Sequence, residues 1–191
     1  MLHTDDIVNQ ENISPMTVPS TDNERLTIAR YRITLMPEAP LRLPAYPGSM
    51  LRGSFGHGLR SVSCITRQRT CDGCPLIDQC HYPALFEPKP ADDISGRFAD
   101  VPAPYVIEVP LGTPDTLLPG QPFHFDMVLF GPAVAQLSTF ILAWQRAAWH
   151  GLGKGRARAQ LTDVAWESAS SDWIPVYHAK QGAIIPHTPG I

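Results

Sequence analysis

The order of apolar patterns along the chain predicts an α+β domain with the ferredoxin-like (RRM-like) arrangement βαββαβ, in which two helices cover one face of a four-stranded antiparallel sheet. Three observations predict it. Period-two stretches and helical-period stretches follow one another as strand, helix, strand, strand, helix, strand. The 20 prolines among 191 residues exclude long uninterrupted helices. Finally, no run nears the roughly 20 consecutive apolar residues of a membrane helix, and 43% hydrophobic residues suffice for one ordinary core.

Residues 1–23 are polar and aperiodic, so they are expected to be a disordered lead-in to a domain over 24–167. With three acids and neither cation nor apolar stretch in its first fourteen residues, this N-terminus has the wrong chemistry for a signal peptide, which predicts a cytoplasmic protein. Leu26 and Ile28, then Ile33 and Leu35, recur at period two and predict the first strand, with a bulge near Tyr31 to reset the phase. Leu51, Phe55, Leu59 and Val62 recur at helical spacing, with Ser49 expected as the N-cap. Gly53, Gly56 and Gly58 lie inside this helix at about 1 kcal/mol each relative to alanine, so the backbone either packs tightly on a neighbour or approaches a ligand closely.

An irregular cysteine-rich insertion over 63–87 and an acidic, proline-punctuated loop over 88–104 follow. PYVIEVP and QPFHFDMVLFG read as strands that pair across TPDTLLPG. Val134, Leu137, Ile141, Trp144 and Ala148 form the stripe of a second helix, which Gly151 ends, and RARAQLTDVAW alternates as a last strand. Residues 168–191 carry turn residues and scattered apolar ones, and are expected to be a linker or the start of a second domain.

Charge is segregated within a net of −3. From Ala39 to Cys71 there is no acid but five arginines; from Met127 to Thr162 there is none against Arg146, Lys154, Arg156 and Arg158. Arginine supplies most of the cations, and its planar fork suits phosphate, so an anionic partner is one reading and a solvated basic face the other.

Cys64, Cys71, Cys74 and Cys80 are the chain's four cysteines. Disulfides are disfavoured in the cytoplasm, and the two-residue spacing of CDGC lets both thiolates face one tetrahedral ion. A structural zinc is the expectation, an iron–sulfur cluster the alternative, and free thiols the plain reading. His81 is read as a bystander because adjacent side chains rarely turn to one metal.

Taken in order, YPGSMLRGSFGHGLR, CDGCPLIDQCHYPALFEP and HGLGKGRARAQLTDV resemble the N-terminal half of the CRISPR precursor-RNA-processing endoribonucleases of the RAMP superfamily, over roughly Leu26 to Val164. The first segment is shared across the superfamily; the cysteine loop running into Tyr-Pro-Ala-Leu-Phe-Glu discriminates further. The resemblance implies a second ferredoxin-like domain beyond this chain, CRISPR repeat RNA and other CRISPR effector subunits as partners, and metal-independent cleavage by the ribose 2′-hydroxyl that leaves a 2′,3′-cyclic phosphate.

That reaction needs a base, an acid and a cation for the developing phosphorane charge. His57, between Gly56 and Gly58, is the acid–base candidate, and Tyr46 the candidate to orient RNA or assist proton transfer. Arg52 and Arg60 are candidate phosphate clamps on the same helix. Gly151, Gly153 and Gly155 with Lys154, Arg156 and Arg158 form a second candidate grip of amides and cations. His150 abuts that loop, with Trp149 beside it implying partial burial, and His124 between two phenylalanines reads as structural. A noncatalytic RNA-binding subunit, for which His57 is incidental, is the competing reading; a metal-stapled interaction module is a third.

Overall fold

A computed structural model describes residues 26–89 and 101–189. The expected lead-in over 1–23 and the 90–100 part of the acidic loop lie outside the described residues.

The first strand, β1 (Ile28–Pro37), alternates cleanly: Ala29, Tyr31, Ile33 and Leu35 point into the core while Arg30, Arg32 and Thr34 point away. No bulge is needed at Tyr31, because Leu26 and Ile28 are exposed rather than core residues. The register shift lies between Thr34 and Leu35, against a later strand. A two-residue strand, β2 (Leu41–Arg42), precedes α1 (Pro47–Ser63). Tyr46 and not Ser49 is the N-cap, and Pro47 opens the helix, where its missing N–H costs nothing.

The cysteine-rich insertion contains a single 3₁₀ turn (Ile77–Gln79) and a short helix, α2 (His81–Phe86). Then come β3 (Tyr105–Glu108), β4 (Thr116–Leu117), β5 (Phe123–Phe130), α3 (Leu137–His150), β6 (Ala159–Glu167) and β7 (Trp173–His178). The large sheet has the order β3-β5-β1-β6-β7 with every neighbour antiparallel, and β2 pairs with β4 in a separate ribbon. The expected pairing of the two middle strands is present as β3 with β5. The fifth strand, β7, comes from the stretch expected to be a linker, and its Val176 and Tyr177 belong to the core.

The core is aromatic. Phe55 of α1 stacks on Phe140 at 5.2 Å and meets Tyr105 at 5.1 Å and Trp144 at 5.3 Å. Two helix glycines answer the question their cost raises. A Cβ at Gly58 would collide with the Ala143 carbonyl oxygen of α3, and one at Gly56 with the ring of Phe86, the last residue of α2. Both are close-packing positions, whereas Gly53 faces open space.

Candidate functional site

Close approach of α1 to α3 sets His57 beside the C-terminal turn of α3. Between them lies a cavity of about 560 Å³ lined by Met50, Ser54, His57, Ala147, His150 and the Gly151, Gly153 and Arg156 of the following loop. Gly151 ends α3 with φ 93°, its N–H shared between the carbonyls of Ala147 and Ala148 at 3.1 and 3.2 Å. Leu152 and Ala157 then exchange hydrogen bonds of 2.9 and 3.0 Å, closing a hairpin whose tip is Gly153 to Arg156. Arg156 is held at φ 46°, a left-handed conformation that non-glycine residues seldom take and that recurs at functional sites. A Cβ at Gly153 would press on the Arg42 carbonyl, so the β2–β4 ribbon supports the loop from beneath.

On its other side His57 borders a second cavity, of about 380 Å³, with Arg60, Ser61, Cys64, Arg67 and Gln68. His57 is therefore an exposed ridge between two recesses, the first formed where both acid-free blocks of the sequence meet and the second by the earlier block alone. Among the described residues no carboxylate lines either recess.

The sheet's open face is different. Arg32 binds buried Asp126 through two contacts, Nε at 2.9 Å and Nη2 at 3.2 Å, and lies 3.9 Å from the centre of the Trp173 ring. Arg30 reaches Glu108 at 2.7 Å, Asp126 at 3.1 Å and Glu167 at 3.4 Å. Here two arginines face three carboxylates, so this surface has no positive excess to offer a phosphate backbone.

Of the other predicted residues, Tyr46 is 88% exposed at the start of α1 and lines neither recess, about three helical turns from His57. Arg52 donates to the Tyr105 hydroxyl at 3.1 Å and the Phe86 carbonyl at 3.3 Å, with its guanidinium over the Phe86 ring. Arg60 donates to the carbonyls of Gln68 and Arg69 at 2.6 and 2.7 Å and faces the Tyr82 ring. Both arginines hold the insertion and α2 to α1, Arg52 through both terminal nitrogens and Arg60 through Nη2 alone. Lys154 and Gly155 are exposed at the loop tip, and Arg158 lies over the Trp149 ring at 4.5 Å.

Trp149 is 56% exposed and His150 is exposed too, so the implied burial of His150 does not occur, and it joins His57 at the first recess. Its position in the last turn before a glycine cap was the available signal. Ser54 and Arg67 were not singled out; Ser54 lies three residues before His57 and shares its helix face. His124 hydrogen-bonds Thr34 Oγ1 at 3.0 Å, on the sheet face away from the helices.

All four cysteines are free and line one cavity of about 420 Å³. Burial acts to raise the Cys64 thiol, but the Thr66 hydroxyl, the Arg67 amide and the charge of Arg60 bring it below its ordinary value. Cys71 is raised, chiefly by burial. Burial likewise pushes the Tyr105 phenol up to about 12, against the opposing pull of Arg52, so it serves Arg52 as a neutral hydroxyl.

With this geometry in place, comparison with known proteins adds one assignment. The chain belongs to the AF_1859_N family, whose N-terminal-domain profile matches residues 26–189 and so takes in every element from β1 to β7. No curated protein matches the chain. Among the described residues, no helix is long and apolar enough to cross a membrane.

Proposed function

We propose that this chain is the N-terminal, ferredoxin-like part of a CRISPR precursor-RNA-processing endoribonuclease of the RAMP superfamily, acting in the cytoplasm on repeat RNA. The observation that carries the reading is the meeting of the two acid-free basic blocks at His57, with Arg156 on one side and Arg60 and Arg67 on the other. A phosphate backbone laid across that ridge meets cations and loop amides without an opposing carboxylate. The βαββαβ order with β5 between β3 and β1, and β1 between β5 and β6, supports the ferredoxin-like assignment; β7 then extends one edge and the cysteine loop is an insertion after α1.

In the proposed reaction the ribose 2′-oxygen bonds to phosphorus while the bond to the 5′-oxygen breaks. One histidine of the pair His57 and His150 takes the hydroxyl proton, and the other gives a proton to the leaving 5′-oxygen. Arg156 faces the negative charge that develops on the phosphorane. The products are a 2′,3′-cyclic phosphate and a free 5′-hydroxyl, with no redox change.

A noncatalytic RNA-binding subunit of a CRISPR effector complex is the second reading. It is favoured by the distance of Tyr46 from His57 and by the internal partners of Arg52 and Arg60, which leave the expected catalytic set incomplete. Incubating the purified chain with labelled repeat RNA in EDTA separates the two. A single cut bearing a cyclic phosphate supports the nuclease; salt-sensitive retardation without a cut supports the subunit; neither result removes both.

A further inference from the structure

The loop over 64–80 has an unusual interior. Of its residues only Cys64, Thr66, Cys71, Cys74, Ile77 and Cys80 are even half-buried; every other one is exposed, including Ile65. A segment with one aliphatic side chain turned inward has no hydrophobic core of its own, and such segments are commonly stapled by a metal. Four of its six inward residues are instead the thiols of the chain, disposed around one cavity.

We propose that Cys64, Cys71, Cys74 and Cys80 bind one soft divalent ion of the zinc class, and that this ion secures the wall the loop gives to the recess beside His57. The inference is independent of the RNA reading. The ligands come from three places: Cys64 caps the end of α1, Cys71 and Cys74 flank a turn, and Cys80 precedes α2. The turn is closed by the Cys74 N–H donating to the Cys71 carbonyl at 3.2 Å and reversed by Gly73 at φ 68°. The Thr66 hydroxyl touches both the Cys64 and the Cys74 sulfur, at 3.9 and 3.7 Å. No carboxylate lines the cavity, and an all-sulfur donor set selects zinc-class ions over magnesium or calcium.

Among the described residues no three metal-ligating side chains stand at ligand distance from a common point. Binding therefore draws the sulfurs inward, through a loop whose packing is sparse enough to permit it. Each thiol gives up its proton to solvent as its sulfur bonds the ion, so four thiols and one dication leave a site of net charge −2. Arg60, which lines the cavity, faces that charge. Arg60 is bonded to the Gln68 and Arg69 carbonyls, while Arg67 and Gln68 wall the recess beside His57, so a fixed loop fixes that wall.

The test is elemental analysis and cobalt(II) substitution of the full chain, with hydrogen exchange followed before and after chelation. We expect one zinc per chain and a tetrahedral cobalt spectrum with thiolate charge transfer, lost in Cys71→Ser/Cys74→Ser. Chelation should speed exchange of amides 64–80, Arg67 and Gln68 included, at least tenfold and leave β1 and β5 unchanged. The wild-type arms stand alone if the variant fails to fold. An octahedral cobalt spectrum, no retained ion, stoichiometric iron with sulfide, or two disulfides by thiol titration would each overturn the site. Unchanged exchange at Arg67 and Gln68 would overturn its link to the recess.

Discussion

Gly58 of α1 lies against the Ala143 carbonyl oxygen of α3, leaving no room for a side chain, and the same packing sets His57 beside His150. Packing and site geometry thus share one residue. Gly58→Ala should cost about 1–3 kcal/mol, the usual penalty of overpacking a rigid contact. Gly56→Ala should cost less, because the atoms nearest its Cβ belong to the Phe86 side chain, which can turn aside, rather than to a backbone carbonyl. Gly53→Ala, in open space, should gain up to about 1 kcal/mol of helix propensity. Urea unfolding of the three variants checks the order, and a stable Gly58→Ala would remove the close-packing account.

If the two histidines share the proton transfers, losing either should slow repeat-RNA cleavage by about 10²–10⁴-fold while affinity changes little. His57→Ala and His150→Ala should fall together, and the double variant should fall scarcely further, because the pair acts as a unit. Tyr46→Phe should cut at the wild-type rate, since Tyr46 lines neither recess. Single-turnover rates in EDTA decide this; a normal rate for His150→Ala would leave His57 with a different partner.

The Ile33 and Leu35 half of β1, the stripe of α3 and the cap at Gly151 were legible because each is a local pattern with a local cause, whereas the phase of β1 before Tyr31 was not, because Leu26 and Ile28 are apolar yet exposed. The fifth strand was not: β7 is six residues long and carries Pro175, which is tolerated because β7 lies at the sheet edge. The β2–β4 ribbon was hidden for a similar reason, since two residues per strand make no periodic signal. At the site, the sequence marks His57 and the glycine loop but not their distance from Tyr46. Nor does it reveal that Arg52 and Arg60 are held by Tyr105, Phe86, Gln68 and Arg69, because those partners come from other segments of the chain.

Salt should distinguish the two arginine-bearing faces. For RNA held across the His57 ridge, replacing Arg156 or Lys154 by alanine should flatten the plot of log affinity against log salt by about 0.7 for each single-strand phosphate that is no longer neutralised. Arg32→Ala should leave that slope unchanged, because its guanidinium is matched by Asp126 and stacked on Trp173. Titrations between low and moderate salt measure both. A slope that moves with Arg32 and not with Arg156 would transfer the RNA to the open face of the sheet.

Alkaline pH should expose the cost of burying phenols. Burial pushes Tyr31, Tyr82 and Tyr105 each up to about 12 from the ordinary 10. Their folded values are raised, so the unfolded chain loses these protons first. Their contribution is fully present below pH 10 and is lost as pH rises through 12. Denaturant midpoints should therefore hold steady up to pH 10 and fall beyond it. Tyr31→Phe should lessen the fall, at the expense of its hydrogen bond to His187 at 2.9 Å. Tyr105→Phe should lessen it too, while leaving Arg52 without its hydroxyl partner and lowering stability at every pH. Midpoints that do not change between pH 9 and 12 would show that these phenols ionise as freely in the fold as in the unfolded chain.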